Sequence, residues 1–168
     1  MPDLYLFYVG GNAGKSNIEV HDIQFVVAES VEAAIPHLQA AWFGDADKIH
    51  IDGYSRIRWA DGYEVTLART PAHDGVKLFF VNAGGYRSDT LAELHEFGLF
   101  AASDAREAKA KALQTLLRGA WQQHKDNLQA VDDCLLLDKV GDWYLHLTPN
   151  AAGEAAKPEW QGYQPIGI

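Results

Sequence analysis

The chain carries a diverged internal duplication, residues 4–67 recurring at 76–147. Leu6-Phe7-Tyr8-Val9 matches Leu78-Phe79-Phe80-Val81, and the Gly10-Gly11 segment matches Asn82-Ala83-Gly84-Gly85. Glu19-Val20-His21-Asp22 returns as Glu93-Leu94-His95-Glu96, and Ile51-Asp52 returns as Val131-Asp132. Tyr63, Val65 and Leu67 are echoed by Trp143, Leu145 and Leu147. A repeat of roughly 70 residues is near the size at which a lone core is only marginally stable. The two copies are therefore expected to pack on one another.

Each copy reads as strand, loop, strand, helix and hairpin, an α+β unit. Leu4 to Val9 and Val76 to Val81 are nearly unbroken apolar runs, as in strands buried on both faces. Ile23 to Ala28 and Phe97 to Ala101 are second strands. Ser30 and Asp104 are N-cap residues preceding amphipathic helical stripes. Pro36 lies early in the first stripe and displaces the expected helix start toward itself. In the second helix, Ala108, Ala112, Leu113, Leu116, Leu117 and Ala120 share one face. Gly44 and Gly119 mark the two helix ends. Asp61-Gly62 suits a type I′ hairpin turn, and Gly141-Asp142 suits the related type II′ turn. The expected organisation is a first repeat at 1–72, a second at 73–149 and an extended C-terminal tail at 150–168, the repeats related by a pseudo-twofold. Within the tail, Tyr163, Ile166 and Ile168 are candidates for docking onto the body.

Net charge is −9, and the first 72 residues hold 5 basic and 10 acidic side chains. Such a field repels phosphate backbones and disfavours nucleic acid as a partner. The basic stretch Arg106, Lys109, Lys111 and Arg118 reads as the solvated face of a helix. One cysteine, Cys134, excludes an intrachain disulfide and reads as a buried, inert thiol. No apolar run approaches the length of a membrane span, and the N-terminus lacks a signal-peptide pattern. The expected location is cytoplasmic.

Gly10 to Ser16 resembles a phosphate-binding loop, but Gly10 leaves three residues before Gly14-Lys15-Ser16 where the motif needs four. No amphipathic helix follows it, and the second copy has no equivalent lysine. A glycine-rich connection between strands is the better reading, with the paired glycines explained by a special turn or by a contacting ligand or chain. The sharpest polar feature is the repeated Glu-x-His. On an extended segment, Glu19 and His21 project from one face, as do Glu93 and His95. Such a pair can share a proton, brace the glycine segment, or offer two metal ligands. If the pseudo-twofold joined both pairs, four N/O ligands would converge. No metal site is assigned, because no His-rich run or Cys pair accompanies the motif, and no cofactor is indicated. Asp52 and Asp132-Asp133 read as capping a bend, with a site across the sheet as the alternative. His37, His50, His73, His124 and His146 lack a partner in the other repeat and are assigned to surface or core. Four tryptophans (Trp42, Trp59, Trp121 and Trp143) are assigned to the core, with Trp160 apart in the tail.

Leu6-Phe7-Tyr8-Val9-Gly10-Gly11, Ile18-Glu19-Val20-His21-Asp22 and His50-Ile51-Asp52-Gly53 together resemble an uncharacterised bacterial family, domain of unknown function 1543, which occurs in one or two copies per chain. Val81 to Tyr86, Glu93-Leu94-His95 and Val131 to Cys134 resemble its second module. The resemblance covers nearly all of residues 3–149 and implies a bacterial protein without an established activity. Two functional expectations follow. The first is a small ligand-binding protein using Gly10, Gly11, Glu19, His21, Gly84, Gly85, Glu93 and His95. In an enzyme the histidine would be general acid or base and the glutamate its orienting partner. The second is an acidic protein-interaction module of inhibitor or immunity type, since complementary fields speed association with a basic partner.

Overall fold

The computed structural model describes residues 1–73, 75–117 and 129–168. In the first repeat β1 (Asp3–Gly11) pairs antiparallel with β2 (Val20–Ala28), and α1 (Val31–Ala41) leads to β3 (His50–Arg56) on the other side of β1. Short β4 (Trp59–Ala60) and β5 (Tyr63–Ala68) complete it. The second repeat follows the same order: β6 (Lys77–Gly85), β7 (Leu94–Ala102), α2 (Ala105–Thr115), β8 (Gln129–Leu136), β9 (Lys139–Val140) and β10 (Trp143–Pro149). Last comes β11 (Trp160–Pro165), which pairs with β3. The three sheets run β11-β3-β1-β2, β7-β6-β8 and β4-β5-β10-β9.

The third sheet is shared between the repeats. β5 and β10 pair antiparallel with Thr66 opposite His146. Tyr63 and Trp143 each open the strand after a hairpin turn, so Thr66 and His146 are equivalent positions. The pseudo-twofold axis therefore passes between them. Both turns have the expected handedness: Asp61 and Gly62 have φ of 48° and 89°, and Gly141 has φ of 60°.

Alternation along each first strand sends one row of side chains to a helix and the other to the opposite repeat. Tyr5, Phe7 and Val9 join Ala34 and Leu38 of α1, and Phe79, Val81 and Ala83 join Ala108 and Ala112 of α2. Leu4, Leu78 and Phe80 meet between the β1 and β6 sheets, with Leu137, Leu145 and Leu147. The layers run helix, sheet, sheet, helix. Strand register also corrects the alignment of the copies. Gly10 faces His21 as Gly84 faces His95, and Asp3 faces Ala28 as Lys77 faces Ala102. Leu4, not Leu6, is thus the counterpart of Leu78. A two-residue slip preserves the face of every side chain, so apolar pattern alone could not detect it.

Helix boundaries follow the caps more than the breakers. The Ser30 hydroxyl accepts from the Ala33 N–H at 3.1 Å, and α1 starts there despite Pro36. Pro36 lies on the exposed side of α1, away from the face that packs on the sheet. Asp104 accepts from the Glu107 N–H at 2.8 Å. The left-handed residue after α2 is Leu117 (φ 55°), whose N–H donates to Glu96 at 2.6 Å. Gly119, Ala120 and Trp121 lie outside the described residues, while Leu113 is exposed and departs from the expected apolar face. α1 ends at Trp42, before Gly44. Lys111 departs from a solvated face: it donates to Asp61 of the first repeat at 2.6 Å and to the Ala101 carbonyl.

The tail carries strand β11. Ile166 is buried and Trp160 packs on the first-repeat core, whereas Tyr163 and Ile168 stay exposed. Among the described residues no helix is long and apolar enough to cross a membrane. The shared central layer predicts that Leu4→Ala and Leu78→Ala each cost about 2–5 kcal/mol. Urea unfolding followed by circular dichroism should then show one transition for the whole chain, shifted in both variants, not two separate ones.

Candidate functional site

Gly10 is the pivot of the site. On β1 it faces His21 of β2 on one side and His50 of β3 on the other. All three positions belong to the sheet face turned toward the second repeat. A β-bulge adds a further group: Tyr8 pairs with Gly53 and Val9 with Ile51, which leaves Asp52 as the extra residue on β3. Bulges re-aim side chains in this way. Glu19 immediately precedes β2, and its carboxylate reaches back over the same spot.

Two carboxylates and two imidazoles close into a ring. Asp52 Oδ1 lies 2.5 Å from His50 Nδ1, and Glu19 Oε1 contacts His50 Nε2. His21 Nε2 lies 3.3 Å from Glu19 Oε2 and 3.2 Å from Asp52 Oδ2. His50 is 2% exposed, whereas Glu19 and His21 are partly open to solvent. Glu19, His50 and Asp52 each bring one ligand-capable atom within a 4.8 Å span.

The glycines are strand residues with no turn to make. Neither Gly10 nor Gly11 has positive φ. A Cβ on Gly10 would come within 2.8 Å of His21 Cδ2 and His50 Cε1 and within 2.9 Å of Asp52 Oδ2. The absent side chain is what lets these groups converge. A Cβ on Gly11 would meet the Lys48 carbonyl and the Trp42 ring at 2.9 Å, so that glycine admits the α1–β3 connection. Gly84 and Gly85 likewise lie within β6.

Glu19, His21, Glu93 and His95 do not form one four-ligand set. His95 Nε2 is 3.5 Å from Glu93, while Glu19 and His21 are joined to His50 and Asp52 of their own repeat. His50 thus belongs to the site instead of the surface or general core, and Asp52 joins it across the sheet instead of capping a bend. Comparing the repeats concealed His50, because Ala130 faces Gly84 where His50 faces Gly10. The available signal was His50-x-Asp52, two polar residues sharing one strand face.

The site opens into the cleft between the sheets. Tyr8 stacks with Phe97 of β7 (ring centroids 6.5 Å) and lies 5.1 Å from the His21 ring. Burial first, then the charges of Asp52 and Glu19, hold the Tyr8 hydroxyl above its ordinary pKa. This aromatic pair stands between two cavities. One, of about 660 Å³, is walled by Leu6, Ile57, Trp59 and Leu99, includes Asp52 and is flanked by the tail at Ala155 and Ala156. The other, of about 710 Å³, contains both His21 and His95. The equivalent of Tyr8 is Asn82, so the hydroxyl, like His50, belongs to the first repeat alone.

Two outcomes follow. Gly10→Ala should cost about 1–3 kcal/mol by overpacking and shift the imidazole resonances of His21 and His50, with His37 unmoved, in two-dimensional NMR. Cys134 packs partly buried beside the second-repeat core, and burial raises its thiol pKa more than Lys109 lowers it. At about pH 8 its thiolate fraction is therefore depleted, and iodoacetamide should alkylate it more slowly than a free cysteine until urea unfolds the chain.

No curated protein matches the chain. A crystal structure of the protein Il1583 from Idiomarina loihiensis is similar over 100% of both chains, with 30% identity and a TM-score of 0.78. The family model described as Domain of Unknown Function (DUF1543) matches twice, at residues 16–67 and 90–139. These segments fall on the two structural repeats and contain both Glu-x-His pairs and His50-x-Asp52. The chain is a tandem-copy member of the DUF1543 family.

Proposed function

We propose that the chain binds a small molecule in the cleft between its β1 and β6 sheets. The observation that carries this reading is the double membership of Asp52, which belongs to the His–carboxylate ring and also lines the cavity of about 660 Å³. That volume lies within the range of about 300–1,000 Å³ typical of small-molecule sites. The walls call for a largely apolar, ring-bearing body against Leu6, Ile57, Trp59 and Leu99. Asp52 offers acceptor oxygens and Tyr8 a neutral hydroxyl, so the polar end of the ligand carries a hydrogen-bond donor, preferably cationic. The Glu-x-His pairs act at the rim, with His21 and His95 lining the adjoining cavity. A cytoplasmic setting belongs to this reading, since it keeps Cys134 reduced.

The test is a fragment screen by ligand-observed NMR, using aromatic amines against matched neutral aromatics. Amines should bind preferentially to the wild-type chain. Ala156→Trp, on the exposed tail beside the cavity, should fill the space and remove binding while the circular dichroism spectrum is kept. Absence of binding in wild type, or binding undiminished in Ala156→Trp, would falsify the cleft as the site.

A further inference from the structure

We propose that His21, His50 and Glu19, oriented by Asp52, bind one divalent transition-metal ion of the zinc class in the first repeat, and that the Glu93–His95 pair of the second repeat binds none. A neutral ring has one N–H donor and one lone-pair acceptor. Asp52 Oδ1 at 2.5 Å claims the Nδ1–H of His50, which leaves Nε2 as a lone pair. That lone pair faces Glu19 Oε1, another acceptor. Two acceptors in contact require a cation between them, either an added proton or a metal ion.

Charge and spacing favour the metal. Glu19 and Asp52 are two carboxylates, and their ion-pair partners among the described residues are His21 and His50, with no lysine or arginine. His21 Nε2 stands 3.3 Å from Glu19 Oε2 and 3.2 Å from Asp52 Oδ2. Zinc bonds to nitrogen and oxygen are about 2.0–2.2 Å, and a tetrahedron of 2.0 Å bonds has edges of about 3.3 Å. His21 Nε2 thus stands at ligand spacing from both carboxylates, while Glu19 Oε1 and His50 Nε2 are in closer contact and part to admit an ion between them. The Asp52–His50 contact has the form of a carboxylate–histidine–metal relay, in which the carboxylate fixes the tautomer and turns Nε2 toward the ion. Borderline ligands of this kind, two imidazoles with carboxylate, suit zinc and its neighbours better than magnesium or calcium.

The fold supplies the convergence. Gly10 leaves the space into which both rings lean, and the β3 bulge turns Asp52 onto His50. The second repeat acts as an internal control. It retains Glu93 and His95, but Ala130, at the position of His50, has no ring nitrogen to offer. The expected stoichiometry is therefore one ion per chain, despite two copies of Glu-x-His.

The experiment uses the full chain stripped with chelator, titrated with zinc by calorimetry and with cobalt(II) by visible absorption. One equivalent should bind, with the intense d–d bands of a four-coordinate cobalt site. Asp52→Asn should weaken binding roughly 10–100-fold, as loss of an orienting partner does, and His50→Ala and Glu19→Gln should weaken it further. His95→Ala should bind as wild type does. If His50→Ala fails to fold, Glu19→Gln, at a partly exposed position, decides the matter. A wild-type chain that takes up no equivalent would assign the ring to a protonated brace and overturn the proposal. Uptake of a second equivalent that His95→Ala abolishes would overturn the claim of one site. Ala156→Trp should leave metal binding intact, so failure of the cleft reading and failure of the metal site are distinguishable.

Discussion

The central apolar layer between the β1 and β6 sheets is the interaction on which everything else rests. Each sheet buries one face under its own helix, and its other face carries Leu4, Phe25 and Val27 or Leu78, Phe80 and Ala101. Neither inner face has a cover within its own repeat. Stacking the copies removes both from water at once, and the β5–β10 pairing holds the stack at one end. Asp61 adds a polar tie, accepting from Lys111 and from the Ala101 N–H of the other repeat. At the glycine end the apolar side chains give way to Tyr8, His21, His95 and Phe97, and the sheets part into the cleft.

A pseudo-twofold fold creates two equivalent positions over a strand glycine, and their polar surroundings differ. Gly10 and Gly84 both face a histidine on the following strand. The third side of that arrangement differs, with His50 beside Gly10 and Ala130 beside Gly84. Tyr8 and Asn82 differ as well. The scaffold is common property of the copies, whereas the His–carboxylate ring draws on three adjacent strands and closes over Gly10 in the first.

Much of the fold was legible in the residues because local physics fixed it. Ser30 and Asp104 cap helices through their own side chains, and Asp61-Gly62 and Gly141 set turn handedness through backbone freedom. Glu19-x-His21 was visible because it recurs. Other features misled for equally physical reasons. A strand's period of two hid the true offset between copies, and glycine in Gly10-Gly11 suggested a turn although its purpose is space for neighbouring rings. His50 is not repeated, since Ala130 occupies its position in the second copy, so the duplication carries no trace of it.

The sequence by itself determined the duplication, the α+β order within each copy, the family and the segment where polar chemistry concentrates. These depend on near neighbours and on periodicity, both of which a linear chain displays. Only the tertiary structure decided that His21, His50, Asp52 and Glu19 meet over Gly10 and that Tyr8 and Phe97 stand between two cavities. Those contacts arise from cross-strand register, a one-residue bulge and the packing of one repeat on the other. The joining of Glu19-x-His21 to His50-x-Asp52, and of Tyr8 to Phe97, links residues far apart in the chain, so no local spacing could encode it.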